Sequence, residues 1–180
     1  MHEKDQFSVV QKFAYWLNLL VWIAAVVNVA ELVVLFASDI PIALHIGGEL
    51  WSKSISTFEV QDRLVIAALL GIEHILWLAV LWQIWLLCGL YRQSKVFTVP
   101  NALCFLNVGW ILLGLCLFEV ALAPVVGAYL FTQDIIPQMP DWMDAVMFNS
   151  SYLVPGLFML LVAKIMEHAA RIQEESELTI

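Results

Sequence analysis

Four long apolar runs constrain this chain more than any other feature of its sequence. They cover residues 13–37, 64–90, 105–131 and 145–166. A helix needs about 20 mostly apolar residues to cross a hydrocarbon core about 30 Å thick, and each run reaches that length. Lipid cannot pair with backbone amides, so each run must satisfy its own amides as an α-helix. The sequence therefore predicts an all-α integral membrane protein: a bundle of four transmembrane helices in a single membrane domain, residues 1–180.

The composition and the charge agree with a chain that resides in a lipid bilayer. Of the 180 residues, 62% are hydrophobic and 13% are charged, whereas soluble domains have about 45–50% apolar and about 25% charged residues. The formal net charge is −8, so the chain lacks the basic surface that phosphate binding requires. We therefore expect the lipid bilayer as its first partner and no direct contact with nucleic acid.

The basic residues indicate how the chain is oriented. Six of the eight Lys and Arg residues fall on one side of the predicted helices: Lys4, Lys12, Arg92, Lys95, Lys164 and Arg171. Basic residues are enriched on the cytoplasmic side of membrane proteins. The pattern predicts that both termini, the loop 91–104 and the tail 167–180 are cytoplasmic. The loop 38–63, which has the other two basic residues, and the loop 132–144, which has none, are predicted to lie outside.

Local signals refine the first two connections. The first outer loop contains the pair Gly47-Gly48, and we expect a short helix over residues 48–55. In the cytoplasmic loop, Thr98 is a candidate N-cap for the third helix. Pro100 would then lie in the first turn, where its missing N–H costs little.

Polar side chains occur inside the apolar runs, where an ionisable group is costly and marks a functional-site hypothesis. They form a predicted intramembrane polar cluster: Asn28, Glu31, Glu73, His74 and Glu119. At about 1.5 Å per helical residue, the four ionisable groups lie about 9–18 Å below the outer boundary, so one cluster is geometrically feasible. Three interpretations stay open: hydrogen bonds that hold the helices together, a proton or cation pathway, and a metal site.

The sequence has no recognisable motif for a metal, a cofactor or a catalytic reaction. The Glu-x-x-His spacing of di-iron bundles is absent, and adjacent Glu73 and His74 point about 100° apart on a helix. Nothing resembles a nucleophile elbow, a P-loop or a zincin helix. We therefore expect no metal ligands, no cofactor and no enzymatic activity.

Two segments on the predicted cytoplasmic side carry a family resemblance. The first reads Tyr-Arg-Gln-Ser-Lys-Val-Phe-Thr over residues 91–98, and Asn101, Leu106 and Gly109 follow it. The second is the acidic tail, residues 170–180, which ends Leu-Thr-Ile. Both resemble the bacterial four-helix membrane proteins called domain-of-unknown-function family 2975. The resemblance implies a multi-pass protein of the bacterial cytoplasmic (inner) membrane and a frequent genetic neighbour, a small helix-turn-helix regulator. It implies no activity.

Two hypotheses about function follow. The first is a non-enzymatic signalling protein, a membrane sensor or anchor whose cytoplasmic loop and tail bind a soluble helix-turn-helix transcription regulator. The predicted binding residues all lie on that face: Arg92, Lys95, Phe97, Thr98, Glu174, Glu175, Leu178 and Thr179. The alternative is a small proton- or cation-coupled permease or channel that uses the intramembrane Glu and His residues. Four helices make a poor pathway alone, so this alternative requires a homo-oligomer.

Overall fold

The computed structural model describes residues 2–37, 41–46, 49–93, 95–139 and 151–177. Its elements, in chain order, are α1 (His2–Ala37), β1 (Pro41–Ile46), β2 (Glu49–Ser54), a 3-10 turn (Ile55–Thr57), α2 (Val60–Arg92), α3 (Val99–Thr132) and α4 (Leu153–Glu177). The predicted start of the fourth helix, residue 145, lies outside the described residues. The hairpin end of the molecule carries β1 and β2, and the loop end carries the connection between α2 and α3.

Four described helices are long and apolar enough to cross a membrane. The candidate spans are Gln11–Val34, Val60–Arg92, Val99–Thr132 and Leu153–Glu175. Large apolar side chains are exposed along them, among them Trp16, Trp110 and Phe158. In water such a surface would drive association, but lipid tails are as apolar as these side chains. The predicted all-α membrane protein with four spanning helices is confirmed.

The helices pack in the order in which they occur along the chain. α1 packs against α2, α2 against α3, and α3 against α4. One core cluster lies near the hairpin end and contains Leu44, Phe58, Ile66, Val126, Leu130 and Ile136. A second lies deeper between the helices and contains Val80, Val108, Leu112 and Leu115. Of the described α1 side chains, only Ala14 and Val21 are buried, so α1 is a peripheral helix that meets the rest through α2.

α3 and α4 approach each other closely where Gly109 faces Gly156. A Cβ added to Gly109 would lie 2.6 Å from Cδ2 of Leu160 and 3.1 Å from the carbonyl oxygen of Gly156. A Cβ added to Gly156 would lie 3.0 Å from Cδ2 of Leu113 and 3.2 Å from the carbonyl oxygen of Gly109. Carbon atoms pack best at about 3.5–4.0 Å, so glycine is the residue that fits on both sides of this crossing. Small residues of this kind let helix backbones pack closely in membranes.

The segment between α1 and α2 forms a β-hairpin where the sequence predicts a short helix. β1 pairs with β2 in antiparallel register, from Pro41 opposite Ser54 to Ile46 opposite Glu49. The expected helix over residues 48–55 is therefore wrong. The strand bounds leave two residues between the strands, and a Gly-Gly pair at such a position is a signal for a two-residue hairpin.

The hairpin is stabilised by the helices below it. Side chains along β1 alternate, so that Leu44 is buried while Ala43 is exposed. Leu44 belongs to the same cluster as Phe58, Ile66 and Val126, which come from the turn, from α2 and from α3. An isolated two-stranded hairpin is marginally stable at best, so this contact with α2 and α3 accounts for its presence.

The connection between α2 and α3 is shorter than the predicted loop 91–104. α2 extends to Arg92, and α3 begins at Val99. Thr98 has the extended conformation of an N-cap, with φ −134° and ψ 154°, but its side chain makes no capping hydrogen bond. Pro100 lies in the first turn as predicted. Pro100 favours a helix start at this position, because its fixed φ suits a helix and its missing N–H costs little in the first turn.

Candidate functional site

A cavity of about 410 Å³ lies at the hairpin end, and β1, α2 and α3 all contribute to its lining. Most of the lining is apolar and includes Ile42, Leu44, Ile55, Ile66, Leu70 and Val126. Ligand pockets in proteins occupy about 300–1,000 Å³ and have mostly apolar walls with a few placed polar groups. The cavity therefore has the size and the lining of a small-molecule site.

Two carboxyl groups line this apolar cavity from neighbouring helices. Glu73 comes from α2 and Glu119 from α3. The Tyr152 side chain lies beside the Glu119 carboxyl and beside the Trp77 indole. The rings of Trp77 and Tyr152 also pack edge to face, with centroids 5.5 Å apart and an interplanar angle of 77°. An aromatic pair thus lies beside Glu119.

Glu73 and His74 are directed towards different neighbouring helices. Glu73 is directed to the cavity beside α3. His74 lies on the α2 face that meets α1, because Gly71, one turn before it, and Leu78, one turn after it, both face α1. A Cβ added to Gly71 would lie 3.6 Å from Cδ1 of Leu32 in α1, and Leu78 lines a groove against α1. The 100° between consecutive helical residues accounts for the division.

Asn28 lies at the same level of the α1–α2 contact as His74. Ala25 and Leu32 lie about one turn before and one turn after Asn28. Ala25 lines a groove together with Leu78, and Leu32 lies next to Gly71, so both meet α2 about one turn from His74. The Nδ1 atom of His74 and the Oδ1 atom of Asn28 are buried, with no hydrogen-bond partner among the described residues. Glu31 is exposed on α1. The predicted polar cluster thus divides among the cavity, the α1–α2 contact and the α1 surface.

The chemistry available in the cavity is that of two carboxyl groups in apolar surroundings. Among the residues that the structure describes, no group of three or more His, Cys, Asp or Glu side chains is placed to hold a metal ion. Ionised carboxyl groups accept hydrogen bonds and attract cations, whereas neighbouring carboxylates repel each other. The cavity is therefore suited to a cation or a hydrogen-bond donor.

At the loop end, the connection between α2 and α3 is held by Asn101. Its side chain is fully buried. Nδ2 donates hydrogen bonds to the carbonyl oxygen of Lys95, at 2.6 Å, and to that of Val96. The backbone N–H of Asn101 donates to the carbonyl oxygen of Thr98 at 3.0 Å. One residue therefore satisfies backbone groups that a short connection would otherwise leave without protein partners.

Around this connection, most of the predicted partner-binding side chains are accessible. Arg92 and Lys95 are exposed, and Phe97 is 50% exposed. Thr98 is partly buried, and its hydroxyl has no hydrogen-bond partner in the described part of the chain. Nε2 of Gln11 donates to the carbonyl oxygen of Arg92 at 3.3 Å, which connects α1 to the loop end.

A groove of about 360 Å³ runs between the start of α3 and the end of α4. Val99 and Leu103 line it from α3, and Glu174 lines it from α4. Glu174 and its neighbour Glu175 are both exposed. The structure thus brings the acidic end of α4 to the same end of the molecule as the basic connection.

The other charged side chains of this groove pair with one another. Nζ of Lys164 lies 2.9 Å from Oε2 of Glu167, and Nη2 of Arg171 lies 2.7 Å from Oε1 of the same carboxylate. These pairs run along one face of α4 at the i,i+3 and i,i+4 spacings. Leu178 and Thr179, which the sequence also predicts to bind a partner, lie outside the described residues.

The sequence signals do not single out Trp77 or Tyr152, and they give Asn101 no role. Asn side chains often bond to backbone groups a few residues away, so an Asn in the first turn of a helix is the signal that indicates the role of Asn101. The contacts of Tyr152 with Trp77 and with Glu119 depend on how α2, α3 and the start of α4 pack together. No local sequence signal predicts them.

Comparison with known proteins identifies one family. No curated protein and no solved structure gives a significant match to the chain. The family model described as "Protein of unknown function (DUF2975)" matches residues 13–180. That range includes both segments that carry the predicted resemblance, residues 91–98 and 170–180, and the resemblance is confirmed. The chain therefore belongs to the DUF2975 family.

Proposed function

We propose that this chain is a membrane anchor or sensor whose loop end faces the cytoplasm and binds a soluble helix-turn-helix regulator. The observation that carries the proposal is the fixed connection between α2 and α3. Buried Asn101 bonds to its backbone, while the side chains of Lys95 and Phe97 stay exposed. A segment whose backbone carbonyl groups are already bonded to a buried side chain loses less entropy on binding than a free one. Aromatic side chains are enriched in protein interfaces relative to the rest of the surface.

The groove beside this connection provides space for an apolar helix face. Val99 and Leu103 line it and are exposed. An amphipathic helix binds such a groove by laying its apolar side chains into it. The expected contact on the partner is therefore an amphipathic helix.

The charges give this surface a basic end and an acidic end. Arg92 and Lys95 lie at the α2–α3 connection, and Glu174 and Glu175 lie near the end of α4. Complementary charges steer encounter and fix the register of a complex. A partner helix with acidic residues at one end and basic residues at the other is expected to dock in a single direction.

The class of partner comes from the family resemblance, which implies a small helix-turn-helix regulator as a genetic neighbour. The net charge of −8 argues that any contact with DNA belongs to that regulator. Binding at the membrane would keep the regulator away from its operators. A change in the bundle that altered the loop end would then release it.

Co-expression of the neighbouring regulator tests the proposal. In cells that contain the intact membrane protein, the regulator is expected in the membrane fraction after ultracentrifugation. Lys95→Glu combined with Phe97→Ser removes one basic and one aromatic group from the connection, and we expect the regulator to return to the soluble fraction. The matched control is Lys53→Glu with Leu50→Ser, a basic and an apolar residue exposed on β2 at the opposite end.

Two results would contradict the docking proposal. One is a regulator that stays soluble although the intact protein is present in the membrane. The other is equal release by the loop-end pair and by the hairpin-end control pair, which would mean that the two faces are not distinguished. Immunoblots of the membrane fraction establish that each variant is inserted at the same level.

A proton- or cation-coupled permease is the second candidate function. The observation that favours it is the convergence of Glu73 and Glu119 on one cavity. Glu31 lies on the exposed surface of α1, and His74 lies in the α1–α2 contact. A pathway would therefore need residues from further copies of the chain. Purified protein in liposomes that shows no proton or cation flux under an imposed gradient would contradict this function.

A further inference from the structure

We propose that the cavity at the hairpin end binds a small organic cation: a primary ammonium group attached to an apolar body. This inference goes beyond both candidate functions, because it requires neither a docked regulator nor ion flux. It rests on the shape of the cavity, on the placement of its two carboxyl groups and on the charge of its lining.

The walls of the cavity favour an apolar body. Ile42 and Leu44 come from β1, Leu70 from α2, and Leu122 and Val126 from α3. Apolar groups gain free energy when they leave water for such surroundings. At about 410 Å³ the cavity lies in the lower part of the range of ligand sites. The expected occupant is therefore a small molecule with one ring or a short chain, and not a peptide.

The carboxyl groups favour an ammonium head. Glu73 and Glu119 line the same cavity from α2 and α3. A carboxylate has about four acceptor sites, so each of the two groups can accept several hydrogen bonds. A primary ammonium has three donors and no acceptor, which allows one head group to bond to both carboxylates.

The charge of the lining disfavours an anion, and no basic side chain of the described lining competes with a cationic ligand. Within the described residues, the lining contains no Lys, Arg or His. Lys53, on the neighbouring strand β2, instead lies over the ring of Phe58, with its Nζ 5.1 Å from the centroid. Two carboxylates in an apolar space repel each other, and a partly desolvated charge without a partner is costly. A cationic ligand removes both penalties at once.

Binding of 2-phenylethylammonium to the purified protein tests the inference. The matched neutral probe is 2-phenylethanol, which has the same apolar body and a hydrogen-bonding head without the charge. Titration calorimetry in a non-ionic detergent at pH 7 measures both, and the rise in Tm with ligand concentration gives a second readout. We expect the ammonium to bind at least about tenfold more tightly than the alcohol, because only the ammonium can pair with the carboxylates.

Three variants and one control variant locate the site. Glu73→Gln and Glu119→Gln keep the side-chain size and remove the charge, and each is expected to weaken ammonium binding at least about tenfold. Glu31→Gln, which removes an exposed intramembrane carboxyl from α1, is the matched control and should change the affinity less than about twofold. Ala123→Phe places a ring in the cavity without altering any charge, and it should abolish binding.

Each of the following outcomes would overturn the inference. The first is no heat and no Tm shift with the ammonium. The second is equal affinity for the ammonium and the alcohol, which indicates apolar partition alone. The third is equal loss in the Glu73→Gln and Glu31→Gln variants, and the fourth is retained binding in Ala123→Phe. None of these outcomes changes the partition of the regulator between membrane and soluble fractions, so the docking proposal is tested separately.

Discussion

The contact between Gly109 and Gly156 gives the sharpest stability prediction. In Gly109→Ala the new Cβ would lie 2.6 Å from Cδ2 of Leu160, about 1 Å short of a favourable carbon–carbon distance. It would also lie 3.1 Å from the carbonyl oxygen of Gly156, and a backbone atom cannot rotate away. α3 and α4 must therefore separate locally. Overpacking of this kind costs about 1–3 kcal/mol of unfolding free energy.

A second glycine on the same helix provides the matched control. Alanine is favoured over glycine in a helix by about 1 kcal/mol. In Gly109→Ala this gain in helix propensity offsets part of the stability that the clash removes. Gly114 is also in α3, but a Cβ there would meet nothing within 4 Å. Gly114→Ala keeps the propensity gain without the clash. The difference between the two variants therefore isolates the clash, about 1–3 kcal/mol.

Thermal unfolding in a mild detergent, followed by circular dichroism, measures this difference. For a chain of this length 1 kcal/mol corresponds to about 2–4 °C, so Gly109→Ala should unfold several degrees below Gly114→Ala. Leu160→Ala should recover part of the loss in a double variant, because it removes the nearest side chain and leaves the carbonyl contact. Equal Tm values for Gly109→Ala and Gly114→Ala would refute the close approach of α3 and α4.

Three further predictions concern single side chains. Asn101→Ala leaves two partly buried carbonyl groups without their partner, which should cost about 1–3 kcal/mol and speed trypsin cleavage after Lys95; unchanged cleavage would mean that another group holds the connection. Tyr129→Phe removes the hydroxyl that donates to Asp62 at 2.7 Å, and denaturant titration should show a loss of about 1–2 kcal/mol, whereas no loss would refute the tie between α2 and α3. Glu167→Gln breaks two ion pairs with exposed partners, so Tm should change by less than the equivalent of about 1 kcal/mol; a larger fall would reveal a structural role.

Hydropathy alone predicts the four helices, because a spanning segment must be long, apolar and internally hydrogen-bonded. It does not predict which face of each helix meets another helix. Lipid-facing and helix-facing positions are both apolar; Trp110 is exposed while Leu112, two residues later, is buried. For the same reason the sequence placed Glu73 with Glu31 in one cluster, whereas the structure directs Glu73 to a cavity and leaves Glu31 exposed.

The hairpin differs from the helix faces, because the sequence contains a local signal for it. Gly47-Gly48 separates two runs of six residues, and a two-residue glycine connection favours a hairpin. The predicted helix over residues 48–55 does not take this signal into account. The hairpin is stabilised by the contact of Leu44 with α2 and α3. Local propensity does not predict this tertiary contact.

The same contact imposes an order on biogenesis. The cluster that holds β1 includes Val126, Leu130 and Ile136, which the ribosome makes about 80–90 residues after Leu44. When α1 and α2 have been inserted, the strands have no complete surface to pack on, and a free hairpin has little stability. The sheet can therefore mature only after α3 has crossed the bilayer. A nascent chain arrested after α2 should leave this segment open to proteases, and release of α3 should protect it.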